Sequence, residues 1–107
     1  MNEKYLGIVE IPSLGIANYT IDIDMGYGRN NKGDEFQGVL VDGKHYIINM
    51  EDVYNGTSTE AGELIPSSAY VLEQIKSSEE AVVKKISDPS ILEMIAKKVI
   101  EESKWVV

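Results

Sequence analysis

Cysteine is absent from the 107-residue chain, and histidine, arginine, phenylalanine and tryptophan occur once each. Without cysteine the protein can form no disulfide, no thiolate metal site and no cysteine nucleophile. A hydrolytic triad needs a base beside its nucleophile, and the single histidine, His45, is expected to be a solvated strand residue. We therefore expect a protein that is not an enzyme and that has neither catalytic residues nor a cofactor.

Long apolar runs are also missing, because no stretch approaches the roughly 18 residues of a membrane-spanning helix. The N-terminal segment MNEKYLGIVEIP has neither the basic region nor the long apolar region of a secretory signal. These absences predict a cytoplasmic protein that makes no contact with a membrane.

Positive charge is scarce, since 10 lysine and arginine residues stand against 18 aspartate and glutamate residues, for a net charge of −8. Proteins bind nucleic-acid backbones by neutralising phosphates with lysine and arginine, so this charge argues against direct nucleic-acid binding. An acidic surface steers basic partners towards itself. The charge therefore favours a protein partner with a basic surface.

Strand patterns dominate the first half of the chain. The run YLGIVEIP alternates in polarity and ends at Pro12, and the run NYTIDIDM alternates more cleanly. Further along, Asp42-Gly43 lies between two β-branched and aromatic runs, which is the signature of a type I′ hairpin turn. In NYTIDIDM one face should be buried and the other wet. The buried face would hold Tyr19, Ile21, Ile23 and Met25, and the wet face Thr20, Asp22 and Asp24.

Helical spacing follows a loop-rich stretch, residues 51–68, in which we expect at most one short helical turn. The next run begins at Ser67 and has apolar residues at helical spacing: Val71, Leu72 and Ile75. Ser77 and Glu80 fit a capping box, which predicts a second helix or a break at that point. Residues 81–87 fit either a strand or a helix, because periodicity cannot settle so short a run.

The last element is predicted as a helix that begins with Asp88 as its N-cap and Pro89 at its first position. Its apolar stripe consists of Ile91, Leu92, Ile95, Val99 and Ile100. Strands followed by helices indicate an α+β fold. We expect an antiparallel sheet of about four to five strands in the N-terminal half, with two to three helices of the C-terminal half packed on one face, in a single α+β domain of residues 1–107.

The most glycine-rich stretch, MGYGRNNKG, spans residues 25–33 and contains the single arginine. Its glycines could present backbone N–H groups to an anion, with two basic side chains as charge partners and a tyrosine as a stacking surface. The residues of this candidate anion loop are Tyr27, Gly28, Arg29, Asn30 and Lys32. The stretch matches neither a P-loop nor a dinucleotide-binding fingerprint. The alternative is a flexible loop between strands, in which glycine and asparagine supply turn conformations.

Carboxylates give the second candidate site. Asp22 and Asp24 share one strand face, and such a pair could donate oxygens to Mg²⁺ or Ca²⁺. That spacing also arises in any solvated strand, so we expect no metal site. We instead predict an acidic face that binds a partner with a basic surface: Asp22, Asp24, Asp34, Glu35, Asp42 and Asp52. Such a small acidic intracellular binding protein would act as immunity proteins and phage-encoded inhibitors do, by occluding a basic site on a macromolecule.

Three short segments resemble known families. GIANYTIDIDMGYGRNNKG is similar to the strand and the start of the T-loop in PII-type signalling proteins, although these have a helix between their first two strands. YLGIVEIPS, GKHYIINMEDV and AGELIPSSAYVL resemble segments of microcompartment shell domains in order, without the A-D-x-M-x-K-A-A helix signature. GIVEIPSLGI resembles the opening strand of sortases, whose cysteine nucleophile is missing here. The first two resemblances imply an alternative function, a self-assembling small domain that is either a shell-like homo-oligomer or a PII-like binder of nucleotides or phosphates.

Overall fold

A seven-stranded antiparallel sheet organises the protein in a computed structural model that describes residues 7–22, 25–58 and 64–101. The strands are β1 (Gly7–Ile11), β2 (Ile16–Asp22), β3 (Met25–Arg29), β4 (Glu35–Val41), β5 (Lys44–Asn49), β6 (Thr57–Ser58), β7 (Leu64–Ile65), β8 (Ala69–Ile75) and β9 (Ala81–Ile86). Their order in the sheet is β1-β2-β3-β4-β5-β8-β9, and a separate two-stranded ribbon pairs β6 with β7. The helices are a 3₁₀ turn (Pro12–Leu14), the five-residue α1 (Met50–Tyr54) and α2 (Pro89–Glu101).

The sheet curls into a half-barrel that brings its two outer strands together at one end. There the Glu10 backbone N–H donates a hydrogen bond to the Glu79 carbonyl at 3.0 Å, and Glu10 forms a parallel bridge with Glu80. Such contact between β1 and β9 protects part of the two strand edges that an open sheet would expose. The curl also encloses an interior on the concave face of the sheet.

Two hydrophobic clusters cover the two faces of the central strands. The cluster inside the curl is built mainly from β1, β2 and the inward residues of β4 and β5: Val9, Ile11, Ile16, Tyr19, Ile21, Phe36, Ile47 and Ala81. The cluster on the convex face lies beneath α2: Val39, Val41, Tyr46, Ile48, Val53, Ala69, Leu92, Ile95, Ala96 and Val99. The middle of β5 is therefore buried on both faces.

The expected α+β fold is wrong, because the C-terminal half contributes strands to the same sheet. The run after Ser67, predicted as a helix, is strand β8, paired with β5 and β9. A β-bulge between Leu72 and Gln74 shifts the pairing register, so the alternation of side chains between the two faces of the sheet is displaced by one residue. Consequently Leu72 and Ile75 pack into the same cluster although they are three positions apart. This bulge produced the spacing that resembled a helix.

The segment around Ser77 is a turn rather than the start of a helix. The Glu79 N–H donates to the Lys76 carbonyl at 2.8 Å, and the Lys76 N–H donates to the Glu80 carbonyl at 2.9 Å. Residues 81–86 form β9, which answers the question that periodicity left open. Among the described residues, α2 with its 13 residues is thus the only helix longer than the five-residue α1.

Two predictions that rest on local chemistry are confirmed, the Asp42-Gly43 hairpin turn and the start of the last helix at Asp88. Val41 pairs with Lys44 across the β4–β5 turn, and Asp42 and Gly43 have φ of 52° and 80°, as a type I′ turn requires. Asp88 immediately precedes α2, and Ser90 lies in the first turn of that helix. The N–H and the hydroxyl of Ser90 donate hydrogen bonds to the Asp88 carboxylate at 3.0 and 2.9 Å. These hydrogen bonds, the one from the hydroxyl above all, hold the pKa of Asp88 below its usual value.

Replacing Asp42 by proline should destabilise the protein by about 2 kcal/mol, because proline holds φ near −65° where the turn has a positive φ. Asp42→Asn is the matched control, since asparagine tolerates a positive φ at little cost. Urea unfolding of both variants measures the difference. An Asp42→Pro variant as stable as Asp42→Asn would show that the strands do not depend on this turn.

Candidate functional site

A buried tyrosine–histidine pair occupies the interior of the curl. Tyr19 and His45 expose 0% and 4% of their surface, and the Tyr19 hydroxyl lies within hydrogen-bond distance of His45 Nε2, at 2.7 Å. Their rings meet edge to face with centroids 5.7 Å apart. The expectation that His45 is solvated is therefore wrong. It failed because the side chain of His45 lies on the curl side of β5, where it packs against Tyr19 of β2.

Two glycines make room for this pair. Gly26 on β3 and Gly38 on β4 are cross-strand neighbours, and a methyl group on either would overlap the Tyr19 hydroxyl and crowd His45. The tyrosine and histidine therefore lie over a floor of backbone. Glycines in two adjacent strands are the sequence signal for this close approach, although Gly26 also falls in the glycine-rich stretch for which a loop is the alternative prediction.

Burial raises the pKa of Tyr19, which fixes the direction of one pH effect. The folded state keeps Tyr19 protonated to a higher pH than the unfolded state does, so stability is fully present below about pH 10 and falls above it. Between about pH 10 and 11 the parent should lose about 1 kcal/mol more than a Tyr19→Phe variant, which lacks this proton. Urea unfolding of both proteins at several alkaline pH values measures the loss. Equal losses in the two proteins would contradict the assignment to Tyr19.

The glycine-rich stretch is a strand for most of its length, because residues 25–29 form β3. Arg29 stands directly opposite Glu35 of β4, and its Nη2 lies 2.9 Å from Glu35 Oε2. Arg29 Nη1 also donates to the Gly33 carbonyl at 3.2 Å, and the Tyr27 hydroxyl donates to the same Glu35 oxygen at 2.9 Å. The single guanidinium thus ties both sides of a short loop together. It is exposed, so the ion pair contributes little to stability.

The loop itself, residues 30–34, uses its backbone donors internally. The N–H groups of Lys32 and Asp34 both donate to Asn30 Oδ1 at 2.9 Å. The N–H groups of residues 30, 31 and 33 donate to the carbonyls of Asp34, Gly15 and Asn30. An anion at this loop would have to displace these bonds. The structure places the predicted anion-binding residues in one neighbourhood, but anion binding itself stays a prediction.

The predicted acidic residues lie at two ends of the sheet. Asp22 and Asp42 are exposed at the end where β2 finishes and β4 turns into β5, whereas Asp34 and Glu35 lie at the start of β4. The seven residues of β4 separate the two ends by roughly 20 Å. Asp24 lies outside the described residues. The carboxylates therefore do not form one continuous acidic face in the part of the chain that the structure describes.

Internal contacts further distinguish the carboxylates. Asp52 accepts hydrogen bonds from the hydroxyls of Ser67 and Ser68 at 3.4 and 3.1 Å and so links α1 to the start of β8. Asn30 donates to the Asp34 carboxylate at 3.2 Å, and Glu35 is paired with Arg29. Among the described residues, Asp22 and Asp42 make no such bond. These two carboxylates remain available to a partner.

An exposed patch on the convex face of β1, β2 and β3 was not expected from the sequence. Its members are neighbours across the strands, because Ile8 pairs with Thr20, Thr20 with Tyr27, and Asp22 with Met25. Ile8, Met25 and Tyr27 expose 53%, 41% and 43% of their surface. We call this surface the outer patch and define it as Ile8, Thr20, Asp22, Met25 and Tyr27.

The prediction that Met25 lies on the buried face of the second strand is wrong. Strand β2 ends at Asp22, which pairs with Met25 of β3, so the chain reverses before Met25. Tyr19 and Ile21 are buried in the curl as predicted, while Met25 lies on the opposite, convex face. The i, i+2 spacing of Met25 and Tyr27 is the signal that could have identified the patch, once the two residues were placed on a strand of their own.

A shallow depression of about 230 Å³ lies within the outer patch. Its walls are Thr20 and Asp22 on β2 and Met25 and Tyr27 on β3, and the backbone of Gly26 contributes to its lining. The His, Asp and Glu residues of the described part form no group of three that could hold a metal ion. Among the described residues, polar recognition in the depression would therefore depend on the Asp22 carboxylate, the hydroxyls of Thr20 and Tyr27, and the backbone.

Comparisons of the chain with protein-family models, with curated proteins and with solved structures find no match. The fold and the site define a curled antiparallel β-sheet protein with an exposed, partly apolar patch that carries one carboxylate. Only a 3₁₀ turn, Pro12–Leu14, connects β1 to β2, so the helix that PII-type proteins have at this point has no counterpart. The part of the chain that the structure describes also has no helix long and apolar enough to cross a membrane.

Proposed function

We propose that this protein is a small acidic binding domain that attaches to a basic protein surface through the outer patch. The observation that carries the proposal is the grouping of Ile8, Met25 and Tyr27, exposed together on one sheet face beside Asp22. Tyrosine and methionine are enriched in protein interfaces, and contiguous exposed apolar patches mark sites of interaction. A patch of this kind supplies contact area that scattered surface residues do not.

Charge supports the choice of partner. The net charge of −8 attracts basic proteins from a distance, and the Asp22 carboxylate places one negative charge inside the outer patch. An acidic protein that covers a lysine-rich or arginine-rich cleft blocks access of other acidic ligands to that cleft. The proposal therefore includes action as an inhibitor of the immunity-protein or phage-inhibitor kind, in the cytoplasm, without an enzymatic activity of its own.

A titration with a defined basic probe tests this proposal. The probe is a synthetic decapeptide with four arginines, one of them flanked by two leucines, added to ¹⁵N-labelled protein. We expect amide shifts concentrated on β1, β2 and β3 and binding that weakens as salt rises, because exposed charges are screened. A version of the peptide with glutamate in place of arginine should give no shifts.

Two tyrosine variants make the test specific to the outer patch. Tyr27→Ala should weaken binding of the decapeptide about tenfold, as truncation of an aromatic interface anchor does. Tyr54→Ala is the matched control, because Tyr54 exposes 77% of its surface on α1, away from the patch. Equal effects of the two variants, or shifts centred elsewhere, would overturn the proposal.

The self-assembling alternative stays a prediction. A second copy of the chain could cover the outer patch, and analytical ultracentrifugation over a wide concentration range distinguishes this case. A mass that rises with concentration in the parent, and not in Tyr27→Ala, would favour self-assembly over a basic partner. A constant monomer mass would leave the basic partner as the explanation for the patch.

A further inference from the structure

We propose that the depression in the outer patch receives a single cationic side chain, an arginine or a lysine, from the partner protein. The proposal rests on the function proposed above and deepens it, because it assigns the partner's chemistry to one position. The depression has a carboxylate at one wall and two large side chains, Met25 and Tyr27, at another. That combination suits a ligand with an apolar stem and a charged end.

The register of β2 and β3 builds this arrangement. Asp22 stands opposite Met25 and Thr20 stands opposite Tyr27, so the polar wall faces the apolar wall across neighbouring strands. Gly26 lies between Met25 and Tyr27 and faces into the curl, where its missing side chain leaves space for Tyr19. Only backbone remains at that position, which leaves the depression open on the convex face.

The chemistry of the walls selects a cation over other ligands. A carboxylate forms charge-assisted hydrogen bonds with guanidinium and ammonium groups. Methionine and tyrosine pack against the methylene stem of a long basic side chain, and an aromatic ring also attracts a cation. With no basic side chain among the described residues that form the walls, an anion would meet the Asp22 carboxylate without compensation.

The other carboxylates of the predicted acidic face that the structure describes do not offer the same site. Glu35 forms an ion pair with Arg29, Asp34 accepts a hydrogen bond from Asn30, and Asp52 accepts hydrogen bonds from two serine hydroxyls. Asp42 is exposed and makes no such bond among the described residues, but it lies in the β4–β5 turn and does not line the depression. Of the described members of the predicted acidic face, Asp22 alone combines an available carboxylate with a depression.

The test pairs two peptides with two matched protein variants. One peptide is the decapeptide used above, and the other has citrulline, a neutral analogue of similar shape, in place of the arginine between the leucines. We expect the parent to bind the arginine peptide about tenfold more tightly than the citrulline peptide, as followed by NMR titration. Asp22→Asn should abolish this difference, because the charge that the arginine needs is gone.

Asp42→Asn is the control, since it removes the same charge at the same end of the sheet and asparagine is compatible with the positive φ. It should keep the tenfold preference for the arginine peptide. If Asp22→Asn keeps the preference as well, or if the parent binds both peptides equally at the outer patch, the cation site is wrong while the proposed binding function stands. If neither peptide shifts any resonance of the outer patch, the proposed function itself fails, and the cation site with it.

Discussion

A Gly38→Ala variant is expected to lose about 3 kcal/mol of unfolding free energy, because the added methyl group enters the space of the Tyr19 hydroxyl and of His45. Both side chains are buried and joined by a hydrogen bond, so neither can move aside without breaking contacts of the inner cluster. Gly38 also pairs with Gly26 on the adjacent strand, and the same overlap would follow there. Urea unfolding of the variant measures the loss.

Gly33→Ala provides the control for backbone strain. Gly33 has a φ of 90°, but no atom lies within 4 Å of the place its side chain would take. We expect a cost of about 1 kcal/mol there, from the strained backbone alone. A Gly38→Ala cost no larger than that of Gly33→Ala would mean that the tyrosine–histidine pair does not lie over Gly38.

An Ile95→Ala variant is expected to lose about 2–5 kcal/mol, because Ile95 is fully buried at the centre of α2 and its truncation leaves a cavity in the cluster on the convex face. Glu93→Ala on the same helix is the control. Glu93 is exposed and its ion pair with Lys97 is long, at 3.9 Å, so its removal should change stability by less than about 0.5 kcal/mol.

Denaturant unfolding of both helix variants gives the comparison. If Ile95→Ala costs no more than Glu93→Ala, then α2 does not pack on the sheet in solution. In that event β4 and β5 would expose the apolar side chains that α2 now covers, among them Val39, Tyr46 and Ile48. An exposed surface of that size would itself indicate a partner.

Local chemistry made the fold predictable at two points. Asp42-Gly43 specifies a turn through the backbone angles that its residues accept, and Asp88-Pro89 specifies a helix start through one side-chain acceptor and one fixed φ. Both signals act within a few residues, so distant contacts do not alter them. The run after Ser67 was different, because its bulge has meaning only when β8 is paired with β9.

The candidate site was predictable in only one of its parts. Asp22 was identified as an exposed residue of a wet strand face, and it is one. Met25 and Tyr27 were assigned to a buried face and to a loop, and they join Asp22 only because β3 reverses direction beside β2. The burial of His45 was missed for a related reason, since it depends on contact with Tyr19, which lies 26 positions earlier in the chain.

The sequence by itself determined the acidity of the protein, the absence of thiol chemistry, the β4–β5 turn and the start of α2. Each of these follows from composition or from interactions between residues close in the chain. Tertiary structure alone decided that the second half adds strands to the sheet, that Tyr19 and His45 meet over two glycines, and that the outer patch is exposed. These features depend on strand register and on the curl of the sheet, and both arise from pairings between residues that are far apart in the chain. Within a single segment, the spacing of apolar residues fits more than one kind of element.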